Sequence, residues 1–198
     1  MYQQKTESRV KSFVGSPIDS IKTVNGVLVE PISKMISKIN WSGLCDKAIP
    51  SKFHGDMQPE NIIIDKNNQF YYIDWRESFG KSIEVGDAYY DLGKVYHALL
   101  ISNTLILSGN YDVTINDDHS FAEVEFCIKN NLSNLISYLE DYCDKENYIF
   151  KHVRLIGVLN YLNIACLYRN FDSGKYGDFL FLLGKKMLSD LFSEEYFG

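Results

Sequence analysis

One stretch of the chain, residues 53–92, combines two short apolar runs with the densest set of acids and amides. The first run, residues 61–65, is rich in β-branched side chains, and the second, residues 70–73, is aromatic and β-branched. Between them lies a polar connection, residues 66–69. Side chains of this kind favour extended strands, and the short polar connection favours a tight reversal, so the pattern predicts an antiparallel β-hairpin.

The predicted hairpin determines where three polar side chains lie. In an antiparallel pair the start of the first strand lies beside the end of the second. Asn61 begins the first strand and Asp74 follows the second, so we expect them to meet at one end, with Asp56 arriving on the preceding loop. Carboxylate and amide oxygens suit Mg²⁺, and a separate carboxylate can accept the proton of a hydroxyl. The three residues match the division of labour in kinase-type phosphoryl transfer.

The sequence H-G-D-M-Q-P-E-N at residues 54–61, followed by Y-Y-I-D-W at residues 71–75, resembles the catalytic and metal-binding loops of the aminoglycoside phosphotransferase/choline kinase-like family, which has a kinase-like fold. The segments W-R-E-S-F-G and Y-D-L-G-K-V-Y-H most resemble the branch found with bacterial capsule and surface-sugar biosynthesis genes. The resemblance extends over nearly the whole chain, as the C-terminal lobe only.

The resemblance implies a role for each matching residue. Asp56 would be the catalytic base, and His54 would brace the catalytic loop. Asn61 and Asp74 would be the magnesium ligands. Asp91, in the segment that follows, would support these loops.

Two further groups near the motif are candidates from their position alone. Arg76 lies in the loop after Asp74, where its guanidinium could bind a phosphate or carboxylate of the substrate, with Glu77 beside it. Arg76 could instead form an ion pair with Glu77, Glu84 or Asp87. Gly86-Asp87 is expected to begin a helix, with Asp87 as an acid favourable at the N-terminus.

The implied reaction moves the γ-phosphoryl of ATP, with Mg²⁺, to a hydroxyl of a sugar-like or amino-alcohol small molecule, in surface polysaccharide biosynthesis. Residues 1–50 contain neither a glycine-rich phosphate loop nor a V-A-I-K-like strand, the parts that hold the nucleotide in kinases. The N-terminal nucleotide lobe is therefore expected to be largely absent and to come from another segment or a second chain. The alternative is a non-catalytic kinase-like remnant that binds a ligand or a protein. A metal-dependent phosphohydrolase is a third, weaker alternative, because four histidines in the chain are few for a two-metal site.

The expected fold is mainly α (α+β): a helical lobe with one small catalytic hairpin, in a single domain over residues 1–198. Residues 1–52 would form lead-in helices and a loop over 41–52, residues 53–92 the catalytic and metal loops, and residues 93–198 a helical subdomain. Apolar periodicity predicts helices at residues 1–14, 31–39 and 148–168. The capping box S-F-A-E predicts a helix from Ser120 to about residue 142, after a polar connection over 108–118. A last helix would begin at a cap on Asp178.

The net charge, the cysteine spacing and the apolar runs indicate what the protein binds and where it is located. The formal net charge of −6 argues against general nucleic-acid binding, which needs a basic surface. Four cysteines lie far apart without a C-x-x-C pair, which favours reduced thiols. The N-terminus lacks the apolar core of a signal peptide, and the most apolar run, residues 155–167, is too short to span a bilayer. We therefore expect a cytoplasmic protein that contacts neither nucleic acid nor membrane.

Overall fold

The computed structural model describes residues 1–101, 108–127 and 130–196 of the chain, which form a mainly helical α+β fold. Contacts divide it into two compact units. The first unit contains Met1–Trp41, Leu105–Cys127 and Val158–Gly198, and the second contains Ser42–Thr104 and Ile128–Gly157. None of the described helices combines the length and apolar character needed to cross a membrane.

The described α-helices are α1 (Tyr2–Val10), α2 (Ile32–Ser37), α3 (Trp41–Asp46), α4 (Ala88–Leu100), α5 (Asn130–Lys145), α6 (Phe150–Ala165) and α7 (Lys175–Tyr196). The strands are β1 (Thr23–Val24), β2 (Val27–Leu28), β3 (Pro50–Ser51), β4 (Ile62–Ile64), β5 (Phe70–Tyr72), β6 (Gly86–Asp87), β7 (Tyr111–Ile115) and β8 (Phe121–Phe126). Short 3₁₀ turns occupy Pro17–Ser20, Pro59–Asn61, Cys166–Tyr168 and Phe171–Gly174. The predicted helices at 31–39 and 148–168 and the hairpin at 61–73 are confirmed, whereas the first helix ends at Val10.

The first unit contains a four-stranded sheet that the sequence did not predict. Its order is β2-β1-β8-β7, with β1 parallel to β8 and the other neighbours antiparallel. The polar connection expected over residues 108–118 is therefore wrong where β7 lies. The helix expected from Ser120 is wrong over residues 121–126, which form β8. Along β8, Ala122 and Val124 are buried while Glu123 and Glu125 are exposed, which is the two-residue alternation of a strand.

Side chains of neighbouring loops take the hydrogen bonds that a helix beginning at Ser120 would need. The Phe121 amide donates to Asn116 Oδ1 at 2.8 Å. The amide of Val124 donates to Asn25 Oδ1 at 2.7 Å, and Asn25 Nδ2 donates back to the Val124 carbonyl at 2.8 Å. These contacts fix residues 121–126 as a strand. Within the described residues, the later part of the predicted helix is observed as α5, which begins at Asn130.

The centre of the first unit is α7, whose residues 179–182 are fully buried. The Phe13 ring stacks on the Phe181 ring, with centroids 4.1 Å apart. The predicted cap at Asp178 is wrong because α7 already begins at Lys175, which places Asp178 within its first turn. The 3₁₀ turn before it contains two left-handed residues, Asp172 and Ser173.

The second unit contains hairpin β4–β5, the β3–β6 pair, α3 apart from Trp41, α4 and α5. The loop expected over residues 41–52 is wrong in part, because it contains α3 and β3, and β3 pairs with β6. Helix α4 lies close to the first half of α6: a Cβ on Gly93 would lie 2.5 Å from Ile156 Cγ2, and one on Gly157 2.5 Å from Tyr96 Cδ1. Only glycine permits this approach. All four cysteines of the chain are free.

Candidate active site

The hairpin brings the ends of two loops together. Ile62 pairs with Tyr72 and Ile64 with Phe70, in antiparallel register. The Ile73 amide donates to the Asn61 carbonyl at 3.0 Å, which continues the pairing one step toward the loops. Asp74 follows with a left-handed backbone, φ 59°, and is exposed. The pairing therefore reaches Asn61 on one strand and Ile73, the residue before Asp74, on the other.

Helix α4 supports the loop that carries His54-Gly55-Asp56. Both oxygens of the Asp91 carboxylate accept main-chain hydrogen bonds, from the His54 amide at 2.7 Å and from the Gly55 amide at 2.8 Å. Burial raises the pKa of Asp91, and these two hydrogen bonds oppose that effect in part. A further main-chain bond, from the Arg76 amide to the His54 carbonyl at 2.8 Å, joins this loop to the one after β5.

The Asp56 carboxylate lies between two cations. Its Oδ1 lies 3.0 Å from Lys94 Nζ and its Oδ2 lies 3.0 Å from Arg76 Nη2. Burial acts to raise the pKa of Asp56, but the positive charges and hydrogen bonds of Lys94 and Arg76 outweigh it and the pKa lies below its ordinary value. Asp56 is therefore a carboxylate at neutral pH, with each oxygen held by one cation.

Asn61 is oriented by the same loop. Its Nδ2 donates to the Asp56 carbonyl at 2.9 Å, and the side chain is buried. With the nitrogen engaged, Oδ1 is the group left for another partner, and an amide oxygen is a ligand that Mg²⁺ accepts. The exposed carboxylate of Asp74 could supply a second oxygen. By their chemistry, one amide and one carboxylate oxygen suit a magnesium ion that takes its remaining ligands from phosphates and water.

A metal site built from protein ligands alone would need more groups than this pair. Within the described parts of the chain, no cluster of three or more His, Cys, Asp or Glu side chains is arranged to hold a metal ion. The Asn61 and Asp74 pair consists of one amide and one carboxylate, and Mg²⁺ usually needs only one or two carboxylates when phosphates complete its shell.

The His54 side chain is buried beneath the loop. Its Nδ1 accepts a hydrogen bond from the Asp56 amide at 3.2 Å, so Nδ1 carries no proton. The buried Nε2 has no hydrogen-bond partner among the described residues. The His54 ring lies against that of Trp75, with centroids 4.8 Å apart. These contacts hold the turn that presents Asp56.

The remaining sequence candidates lie around this centre with different partners. Arg76 pairs with Asp56, a partner that the sequence did not suggest. Glu77 is exposed on the same loop. Asp87 caps α4: its Oδ1 accepts from the amides of Tyr89 and Ile49, each at 3.1 Å. The structure thus gives Asp87 a place at the helix N-terminus rather than beside Arg76.

Sequence reasoning assigned no role to Lys94, which is the closest partner of Asp56 Oδ1. Lys94 follows Asp91 by three positions on α4, and residues at this spacing share one helix face. The sequence does contain a signal for Lys94. On the helix that follows the motif, a lysine stands one turn after the acid that supports the loop.

Comparison with known proteins adds no relative. No family model, curated protein or solved structure matches the chain. The interpretation of the site therefore depends on its own geometry and on the resemblance of its motifs.

Gly55 is the residue of the loop least able to carry a side chain, and its replacement gives a direct test of the loop packing. Its φ is +81°, and an added Cβ would lie 2.6 Å from both Cβ and Cγ of Arg76. We expect Gly55→Ala to lower the free energy of unfolding, measured in urea, by about 1–2 kcal/mol from backbone strain and by a further 1–3 kcal/mol, roughly, from overpacking.

Gly26→Ala is the matched control for Gly55→Ala. Gly26 has φ +78°, and nothing lies within 4 Å of its added Cβ. This control therefore reports the backbone strain alone. Equal destabilisation by the two variants would contradict the close packing of Arg76 over Gly55.

Proposed function

We propose that the chain is the catalytic lobe of a small-molecule phosphotransferase, which moves the γ-phosphoryl of ATP to a hydroxyl of a sugar-like or amino-alcohol acceptor. The observation that carries the proposal is the hydrogen bond from Asn61 Nδ2 to the Asp56 carbonyl. It joins the main chain of the proposed base to the side chain of the proposed metal ligand and leaves Asn61 Oδ1 for the metal. The resemblance of the motifs to the capsule-associated branch supports an acceptor used in surface polysaccharide biosynthesis.

Asp56 performs the proton transfer in this mechanism. The acceptor hydroxyl oxygen forms a bond to the γ-phosphorus, the bond from that phosphorus to the β,γ-bridging oxygen breaks, and the electron pair leaves with ADP. The hydroxyl proton passes to the Asp56 carboxylate. Because Asp56 is ionised at neutral pH, it is ready to accept this proton. Proton transfer to a positioned base typically contributes about 10²–10⁴-fold to the rate.

Asn61 Oδ1 and the Asp74 carboxylate would hold the magnesium ion. When bound, Mg²⁺ neutralises charge on the β- and γ-phosphates as it increases during transfer. Asp74 follows the end of β5 with a left-handed backbone, and the main-chain bond between Ile73 and Asn61 keeps that end beside the Asn61 loop. A nucleotide lobe on another segment or a second chain would cover the phosphates. ATP as phosphoryl donor supports a cytoplasmic setting.

Calorimetric titration of MgATP into the 198-residue chain tests the proposal. We expect Asp74→Asn to weaken binding at least about tenfold, about 1.4 kcal/mol, because one charged metal ligand becomes neutral. Asparagine tolerates the left-handed backbone of this position, so the variant changes charge without changing the loop.

Titration of ATP with EDTA in place of Mg²⁺ is the control for the metal. It should reduce the binding of the wild-type chain and have little effect on Asp74→Asn. Equal binding of MgATP by both proteins would contradict the metal site, and no binding by the wild type would contradict the proposed function of this chain alone.

A non-catalytic module that binds a ligand or protein is the second candidate. Two observations favour it. Both oxygens of Asp56 already carry a cationic partner. The hairpin and the loop after it expose large apolar side chains, among them Ile64, Phe70 and Trp75, each more than half exposed. Release of ADP from MgATP by the wild-type chain would decide against this candidate.

A further inference from the structure

Helix α4 contacts both the main chain and a side chain of the His54-Gly55-Asp56 loop. Asp91 holds the loop main chain through the amides of His54 and Gly55. Three residues later, Lys94 holds the Asp56 side chain through Oδ1. Both contacts come from one helix face, so the main chain and the carboxylate of the loop are fixed to the same rigid element.

The structure gives Lys94 little freedom to leave Asp56. Its side chain is 11% exposed, and that of Asp56 is 9% exposed. The preceding residue, Gly93, lies so close to α6 that an added Cβ would be 2.5 Å from Ile156 Cγ2 and 3.2 Å from the Gly157 nitrogen. A lysine ammonium withdrawn from water needs its counter-ion, because an unpaired buried charge is costly.

Arg76, the other cation, differs in each of these respects. Its side chain is 58% exposed, and it lies on the loop after β5 rather than on a helix. It reaches Asp56 through Nη2 at Oδ2. Water can solvate the exposed guanidinium when it leaves, and Lys94 remains beside the buried Asp56 carboxylate. Arg76 can therefore leave Oδ2 at a smaller cost than Lys94 would incur in leaving Oδ1.

We infer that Lys94 is a fixed positioning residue for Asp56, and that Arg76 is the exchangeable partner that leaves Oδ2 to the acceptor hydroxyl. The inference rests on the proposed function, since the base must bring one oxygen within reach of the acceptor hydroxyl, and Oδ2 is the oxygen whose partner is exposed. Lys94 then keeps Oδ1 and with it the orientation of the carboxylate. A helix lysine thereby directs which oxygen of the base reacts.

Side-chain NMR relaxation of the full chain tests the asymmetry without any assay of activity. We expect the Lys94 ammonium to be motionally restricted and the Arg76 guanidinium to be mobile. In Asp56→Asn the restriction of Lys94 should weaken, which assigns it to the ion pair. A Lys94 ammonium as mobile as that of the exposed Lys66, or an Arg76 guanidinium as restricted as Lys94, would overturn the inference.

Turnover separates positioning from simple support of the fold. Lys94→Met is expected to lower kcat for ADP release about 100-fold, with little change in KM for MgATP, because a small displacement of a catalytic group can cost that much. Lys94→Arg, which keeps the charge, should restore part of kcat. Arg76→Met should lower kcat less, by a margin of at least about tenfold.

The controls distinguish a failure of the role inferred for Lys94 from a failure of the proposed function. Lys66→Met removes a lysine charge from the exposed hairpin turn and should leave kcat unchanged. If Lys94→Met does not fold, the relaxation measurement on the wild-type chain takes its place. Equal losses of kcat in Lys94→Met and Arg76→Met would overturn the role of Lys94. A wild-type chain that neither binds MgATP nor releases ADP contradicts the proposed function, while the relaxation measurement still decides which partner is fixed.

Discussion

Asp56→Asn is expected to lower turnover about 10²–10⁴-fold, the usual contribution of a positioned general base. The amide has the size of the carboxylate, and its oxygen can still accept a hydrogen bond from Lys94, while its NH2 group takes the position of Oδ2 beside Arg76. It cannot take up the hydroxyl proton, so the chemical step loses its base. MgATP binding should persist, because the proposed metal ligands are Asn61 and Asp74.

The measurement is ADP release from MgATP in the presence of a panel of sugars and amino alcohols. Asp65→Asn is the matched control: Asp65 lies in the turn of the same hairpin, where its Oδ1 accepts from the amides of Asn67 and Gln69. An asparagine Oδ1 can accept the same bonds, so this control should keep wild-type turnover. Thermal unfolding of both variants excludes loss of fold. Unchanged turnover in Asp56→Asn would remove Asp56 from the role of base.

The hairpin that carries part of the candidate site could be predicted because it depends on local rules. The register of a short hairpin follows from its strand pattern and turn. That register places Asn61 beside the position that precedes Asp74, as the bond from the Ile73 amide to the Asn61 carbonyl shows. Nothing beyond the neighbouring residues is needed to bring these positions together.

The four-stranded sheet could not be predicted by the same means. Its central pair joins Thr23 to Phe121, residues that are distant in sequence, and such a pairing leaves no local pattern. Locally, S-F-A-E satisfies the helix capping box, and the apolar residues that follow also fit a helix. The alternation of buried and exposed side chains in residues 121–126 instead favours a strand. Pairing with β1 decides between helix and strand.

The partners of Asp56 were missed for a related reason. Lysine and arginine side chains are mostly exposed, so a lysine on a helix after the motif is usually interpreted as a solvent contact. Which residue Lys94 reaches depends on how α4 packs, and that is set by the approach of Gly93 to Ile156. A charge pair between elements is therefore a consequence of tertiary structure that the motif itself does not encode.

Asp19→Ala is expected to have the largest effect on stability. Lys185 of α7 is fully buried, and its Nζ donates to the Asp19 carbonyl at 2.8 Å, with Oδ1 of the same residue 3.4 Å away. The Asp19 carboxylate also accepts from the Ile32 amide at 2.8 Å and from the Gly15 amide at 3.3 Å. One acid therefore neutralises a buried charge and satisfies main-chain donors on both sides of the 3₁₀ turn.

Removing that acid leaves a buried ammonium without a counter-ion, which typically costs about 3–5 kcal/mol of unfolding free energy. Since small proteins are stable by only about 5–15 kcal/mol, the loss should be evident in urea unfolding at neutral pH. Lys185→Met, the control, should cost less, because the Asp19 carboxylate keeps its main-chain donors and methionine fills the space. Asp19→Asn, which keeps the shape and Oδ1, should lie between the two.

The pH dependence of the same variants separates charge from packing. Burial lowers the pKa of Lys185, and Asp19 opposes that effect; without Asp19 the pKa falls further below that of the unfolded chain. The unfolded state then binds more protons, so stability rises with pH up to the ordinary pKa of lysine. The deficit of Asp19→Ala relative to wild type should therefore shrink as the pH rises from about 7 to about 9.5. A cavity left by the missing carboxylate would give a deficit that does not change with pH, and that result would assign the loss to packing.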